Sequence, residues 1–161
     1  MRHVLFICSG NYYRSRFAEA VFNAAAERRG LPWRAFSRGL ATHLVHGAGE
    51  LSMHTRFALL ARGIGLHHTG PAPVQLAASD LERAERIVAL KESEHRPLME
   101  ALFPEWVDRI EYWNIHDLDA GPPDRVVPDL ERLTLGFLDQ LAAADAGRPK
   151  PAPARAGSSP S

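Results

Sequence analysis

Val4-Leu5-Phe6-Ile7-Cys8-Ser9-Gly10-Asn11-Tyr12-Tyr13-Arg14-Ser15 is the stretch on which the reading of this chain turns. A short run of β-type apolar residues ends at Cys8, the only cysteine present. Arg14 follows after five residues, and Phe17, Val21 and Ala24 then recur at helical spacing. The pattern predicts a strand, a tight loop and a helix, with a thiol where the loop begins and a guanidinium where it ends.

Such a loop suits a phosphate. Amides between Cys8 and Arg14 can turn inward as a nest, and the positive end of the following helix points at the same place. Gly10 and Asn11 are the residues best able to take the left-handed backbone that this curl needs. The same field favours a thiolate at Cys8. Arg14 offers a planar two-point grip on phosphoryl oxygens that lysine lacks, and Ser15 is placed to donate its hydroxyl to the sulfur. Ser9, Gly10, Asn11, Tyr12, Tyr13, Arg14 and Ser15 are therefore the candidate phosphate-binding residues. A thiolate inside such a cradle implies phosphoryl transfer through a phosphocysteine.

Outward from this stretch, 161 residues fit one domain with a substantial core. Nineteen basic residues balance nineteen acidic ones, so there is no global attraction to nucleic acid or to an anionic membrane. No apolar run approaches the ~20 residues of a membrane span, and the apolar start is too short for a signal peptide. A single cysteine excludes an intrachain disulfide and a zinc–cysteine site, which implies a cytoplasmic protein.

Residues 2–8 read as a parallel strand buried on both faces. The helix from Arg14 ends near Arg28-Arg29-Gly30, and Trp33 to Ser37 form a weaker second strand. Met53, Phe57, Leu60 and Ile64 mark one face of a helix closed by Gly63 and Gly65. Ser79 and Glu82 make a capping box, Ile87 to Leu90 a third strand, and Ser93 caps a helix through Leu102 with Pro97 near its first turn. Arg109 to Ile115 is the fourth strand. Leu130, Leu133, Phe137 and Leu141 line a last helix beginning near Pro128. Alternating strands and helices imply an α/β fold with a parallel sheet covered on both faces and a site beyond the strands' carboxyl ends. Alanine, glycine, proline and serine dominate from Ala142, so residues 1–145 form the domain and 146–161 a disordered tail. His43, His46, His67, His68 and His95 show no ligand spacing and read as ordinary surface or loop histidines.

The loop resembles the signature of the low-molecular-weight protein tyrosine phosphatase family, Cys-x-Gly-Asn-x-Cys-Arg-Ser on the first βα turn. Ser37-Arg38-Gly39-Leu40 is similar to the Ser-Ala-Gly-Thr segment that follows the family's second strand. The resemblance covers roughly residues 1–142. It implies a flavodoxin-like three-layer sandwich whose four-stranded parallel sheet has the order 2-1-3-4. It also implies a cysteine-dependent phosphomonoesterase without cofactor or metal, acting on a phosphorylated protein or a small phosphate ester and releasing phosphate. The general acid of the family is the Asp of an Asp-Pro pair after the fourth strand. Asp117 matches it by position, Leu118 replaces the proline, and Asp119 and His116 compete for the role. Tyr13 stands where many members have a second loop cysteine, and Tyr12 where the family often has Ile, or Thr in forms directed at phosphoarginine. Two other readings remain: an arsenate reductase-like enzyme using an external thiol, and a non-catalytic module binding phosphoanions or phosphoproteins.

Overall fold

The structure, a computed structural model, describes residues 1–117 and 121–147. Asp119, Leu118 and residues 148–161 of the expected tail lie outside the described residues. Four strands, β1 (Arg2–Cys8), β2 (Trp33–Gly39), β3 (Arg86–Ala89) and β4 (Glu111–Tyr112), form one sheet in the order β2-β1-β3-β4. Every pairing is parallel, as expected. Among the described residues five α-helices, α1 (Arg14–Arg28), α2 (Met53–Ala61), α3 (Ala78–Arg83), α4 (Glu92–Leu102) and α5 (Pro123–Ala146), connect and cover it.

The unbroken apolar run of β1 follows from its central place. Val4, Phe6 and Cys8 turn to one face, into a cluster with Phe17, Val21 and Phe22 of α1 and Phe137, Leu138 and Leu141 of α5. Leu5 and Ile7 turn to the other, against Leu81 of α3, Met99 of α4 and Ile87 and Ala89 of β3. With polar partners on neither side, alternation disappears from the strand. Gly30, at φ 63°, follows the end of α1.

Several local expectations are corrected. The Met53/Phe57/Leu60 face of α2 points outward, with those side chains 58–62% exposed, while Thr55 and Leu59 are buried. The cause is polar: Thr55 Oγ1 donates to the Tyr13 carbonyl at 3.0 Å, and the Ser52 amide donates to the Tyr12 carbonyl at 3.0 Å. These bonds rotate the helix to suit the phosphate loop. At α3 the capping carboxylate belongs to Asp80, which accepts from the Ala77 amide at 2.9 Å; Ser79 lies inside the helix. Helix α4 begins at Glu92, before Ser93, so Pro97 sits in its second turn. Helix α5 begins at Pro123 and carries Pro128 within it. Both inner prolines are exposed, and each frees a carbonyl of an exposed residue, Ser93 or Asp124, that water can reach. Strand β4 keeps two ladder residues, although the Trp113 and Ile115 amides still donate to Ala89 and Leu90. Among the described residues no helix is long and apolar enough to cross a membrane.

Candidate active site

Parallel order places the carboxyl ends of β1 and β3 side by side, and the chain leaves β1 directly into the loop Cys8–Ser15. Cys8 is 2% exposed, and its Sγ lies 2.9 Å from Ser15 Oγ. Among the described residues the amides of Ser9 through Tyr13 have no protein acceptor, which leaves them for an anion.

The curl is held by one side chain. Asn11 takes φ 51°, the left-handed conformation, whereas Gly10 does not. Asn11 Nδ2 donates to Ser15 Oγ at 2.8 Å and to Ser37 Oγ at 2.9 Å, and its Oδ1 accepts from the Val74 amide at 2.9 Å. Ser37 passes the chain on to Glu19 Oε1 at 2.6 Å, where Thr69 Oγ1 also donates at 2.9 Å. Burial pushes the Glu19 carboxyl up, with the Ser37 and Thr69 hydroxyls opposing. Arg16, 2% exposed, donates to Thr69 Oγ1 and to the carbonyls of Asn11, Glu50 and Gly70. Gly39 meets the loop from β2: a Cβ there would stand 2.7 Å from the Ser9 carbonyl oxygen.

Arg14 is 2% exposed, and its fork is met on two edges. Glu94 takes the end, with Nη1 to Oε2 at 3.1 Å and Nη2 to Oε1 at 2.7 Å. The Ile115 carbonyl takes the Nη1 flank at 3.1 Å. Asp117 Oδ2 stands 3.4 Å from Nη2, with its side chain 41% exposed. The Nε–Nη2 flank is the edge that Glu94 and the Ile115 carbonyl leave open. Ser9 Oγ also donates to Glu94 Oε1, and His95 Nε2 lies 3.2 Å from the same hydroxyl. Burial alone would raise the Glu94 carboxyl, but hydrogen bonds from His95, Arg14 and Ser9 outweigh it and hold the group well below the usual carboxylate range.

A cavity of about 360 Å³ opens over the thiol, lined by Cys8, Gly10, Tyr12, Tyr13, Arg14, Val45 and Asp117. Of the residues singled out from the sequence, Cys8, Gly10, Tyr12, Tyr13, Arg14 and Asp117 line it, whereas Ser9, Asn11 and Ser15 belong to the same loop without lining it. His116 is exposed and absent from that lining. Sequence reasoning missed Glu94, His95 and Val45. His95 is fully buried, correcting its reading as a surface or loop residue. Its Nδ1 accepts from the Lys91 amide at 3.0 Å, so Nε2 carries the proton in the neutral ring. The available signal was positional, because residues just past β3 must stand beside residues just past its neighbour β1. Among the described residues, Glu27, His67 and His68 are the group of metal-ligating type whose atoms lie within 4.8 Å of one another; none lines the cavity.

Comparison with known proteins agrees with this geometry. Residues 3–133 match the family model described as Low molecular weight phosphotyrosine protein phosphatase. A protein-arginine-phosphatase of Bacillus subtilis (strain 168) is 30% identical over 108 residues, which is 66% of this chain and 67% of that protein. The crystal structure of a low molecular weight protein tyrosine phosphatase from T. tengcongensis is 26% identical, with a TM-score of 0.70 over 89% of this chain and 99% of that one. The YwlE arginine phosphatase, solved as a mutant with a phosphorylated active site serine, shares the fold at 24% identity and a TM-score of 0.73, over 87% and 95% of the two chains. This chain belongs to the low-molecular-weight phosphotyrosine protein phosphatase family and is a cysteine-dependent phosphatase.

Proposed function

We propose that the protein hydrolyses aryl phosphate esters, phosphotyrosine in proteins foremost, through a phosphocysteine. The observation that carries this reading is the wall above the thiol: Tyr12, Tyr13 and Val45 give the cavity aromatic and apolar sides suited to a phenyl ring. Cys8 Sγ attacks phosphorus as the ester oxygen departs. Arg14 and the amides of Ser9, Gly10, Asn11, Tyr12, Tyr13 and Ser15 hold the equatorial oxygens as charge shifts across them. Ser15 donates to the sulfur, which steadies it as nucleophile and again as leaving group. Asp117 gives its proton to the leaving oxygen and then takes one from the water that cleaves the S–P bond, releasing phosphate.

Phosphoarginine is the second reading. It is favoured by the name of the curated relative and by the Asp117 carboxylate in the cavity wall, which can face a guanidinium. Steady-state kinetics on matched phosphotyrosine, phosphoarginine and phosphoserine peptides separates the two. The aryl reading expects the highest kcat/KM on phosphotyrosine, and a higher value on phosphoarginine would replace it. Binding of phosphate without turnover of any ester would leave a non-catalytic module. A nucleophilic thiol that works only when reduced supports a cytoplasmic location; fractionation of the producing cell checks this.

A further inference from the structure

Tyr13 directly precedes α1, and its side chain is 5% exposed, packed in the cluster that holds Phe17 and edge-on to the His54 ring at 6.2 Å. Among the described residues its hydroxyl is the one buried side-chain oxygen without a hydrogen-bond partner. Buried hydroxyls are ordinarily paired, because leaving one unpaired costs stability. The same residue lines the cavity together with Cys8, Arg14 and Asp117. Burial first, and the Asp117 charge second, push the phenol up to about 12, with Arg14 opposing. At neutral pH it is therefore a hydrogen-bond donor.

A bound phosphoryl group gives Asp117 a reason to use it. Its carboxyl leans toward Arg14 Nη2, on the edge that Glu94 and the Ile115 carbonyl leave for phosphoryl oxygens. A phosphoryl group on that edge brings negative charge against Asp117 and claims the Nη2 hydrogen, so Asp117 cannot keep that contact. Among the residues lining the cavity, Tyr13 has a hydroxyl that no described group occupies.

We propose that the Tyr13 hydroxyl is a positioning donor in the reaction, taking one oxygen of the Asp117 carboxyl while a phosphoryl group occupies Arg14. The other carboxyl oxygen then carries the proton that passes to the leaving oxygen, and afterwards accepts one from the attacking water. This rests on the reading of Asp117 as the general acid.

The test is a double-mutant cycle of Tyr13→Phe and Asp117→Asn on the full chain, with phenyl phosphate and nitrophenyl phosphate as substrates. Loss of one hydrogen bond to an acid should lower kcat for Tyr13→Phe on phenyl phosphate about 10-fold, and markedly less on the activated ester. Because the bond forms only with a phosphoryl group on Arg14, inorganic phosphate should also inhibit Tyr13→Phe somewhat less strongly than the parent. Removing an unpaired hydroxyl should hold or raise the melting temperature, by about 2–4 °C at most. In the Asp117→Asn background Tyr13→Phe should have no further effect. Unchanged kcat, or an equal loss in both backgrounds, would each overturn the assignment. A fall in melting temperature alongside the kinetic loss would give the hydroxyl a packing role and overturn it too. If Asp117→Asn itself shows no dependence on the leaving group, Asp117 is not the acid and the inference fails with that reading; if it does and Tyr13→Phe does not, the inference fails alone.

Discussion

Glu94 should govern how well Arg14 works, and the direction of its effect is decisive. Glu94→Ala removes both contacts to the fork, at 3.1 and 2.7 Å, together with the acceptor of Ser9 Oγ. Arg14 keeps the Ile115 carbonyl and Asp117, so it stays buried but is free to rotate about its own chain. Hydrogen bonds to charged groups contribute about 1.5–3 kcal/mol each, and the 29% exposure of Glu94 argues for counting the pair once. That gives about a 10- to 150-fold loss of kcat/KM on an aryl phosphate. Glu94→Gln retains one acceptor oxygen, and about half that energy, or about a 3- to 10-fold loss, is expected. Inorganic phosphate should inhibit both variants less strongly, since a misaimed fork grips it less well. The assay is steady-state kinetics with phosphate inhibition, run beside melting curves to confirm folding. A carboxylate that merely competed with phosphate for Arg14 would do the opposite: its removal would tighten phosphate and speed turnover. That result, or wild-type kinetics in Glu94→Ala, would refute the reasoning.

Cys8→Ser should abolish turnover yet keep the fold and some phosphate binding, because serine fills the place without ionising; near-normal turnover would remove the covalent step. Gly39→Ala should lower both melting temperature and activity. Its Cβ meets the Ser9 carbonyl at 2.7 Å, where backbone must shift, at a cost of about 1–3 kcal/mol, so an unchanged melting temperature would count against this packing. His95 is held below its ordinary value by burial first, with Arg14 adding and Glu94 opposing. Since the folded value is the depressed one, His95 contributes stability that is present above about pH 6.5 and lost as pH falls. His3 and His68, also lowered by burial, add to the same slope. Denaturation midpoints between about pH 7 and about pH 5 should therefore fall less steeply in His95→Gln than in the parent chain; equal slopes would assign the effect to the other two.

What could be read from the sequence was whatever local chemistry dictates. The two-sided burial of β1 shows as an unbroken apolar run. The end of α1 shows in Gly30, and the strand–loop–helix turn from Cys8 to Ser15 in eight consecutive residues. Glu94 and His95 were illegible because nothing in Lys91-Glu92-Ser93-Glu94-His95 reports that this turn passes behind Arg14. That proximity exists only once β3 is seated beside β1. The rotation of α2 was hidden for a related reason. Its sequence offers a better apolar stripe at Met53, Phe57 and Leu60 than at Thr55 and Leu59, yet Thr55 reaches a carbonyl 42 residues away and decides the outcome. Pro128 suggested a helix start because proline favours first turns, and Pro123 satisfies that preference five residues earlier.

The hydrogen bonds of Asn11 bear on how far this active site could be transplanted. Grafting Cys8 to Ser15 onto the first turn of another parallel sheet would carry over the thiol, the guanidinium and the curl-forming residues. It would leave behind Ser37 on the neighbouring strand and the Val74 amide, 26 and 63 positions further on, which fix the left-handed turn through Asn11. Without them that turn loses two of its three anchors, and the amides it aims would scatter. The smallest portable unit is thus the loop together with the Ser37 to Gly39 edge of β2 and the segment around Val74. The short motif is only its visible part.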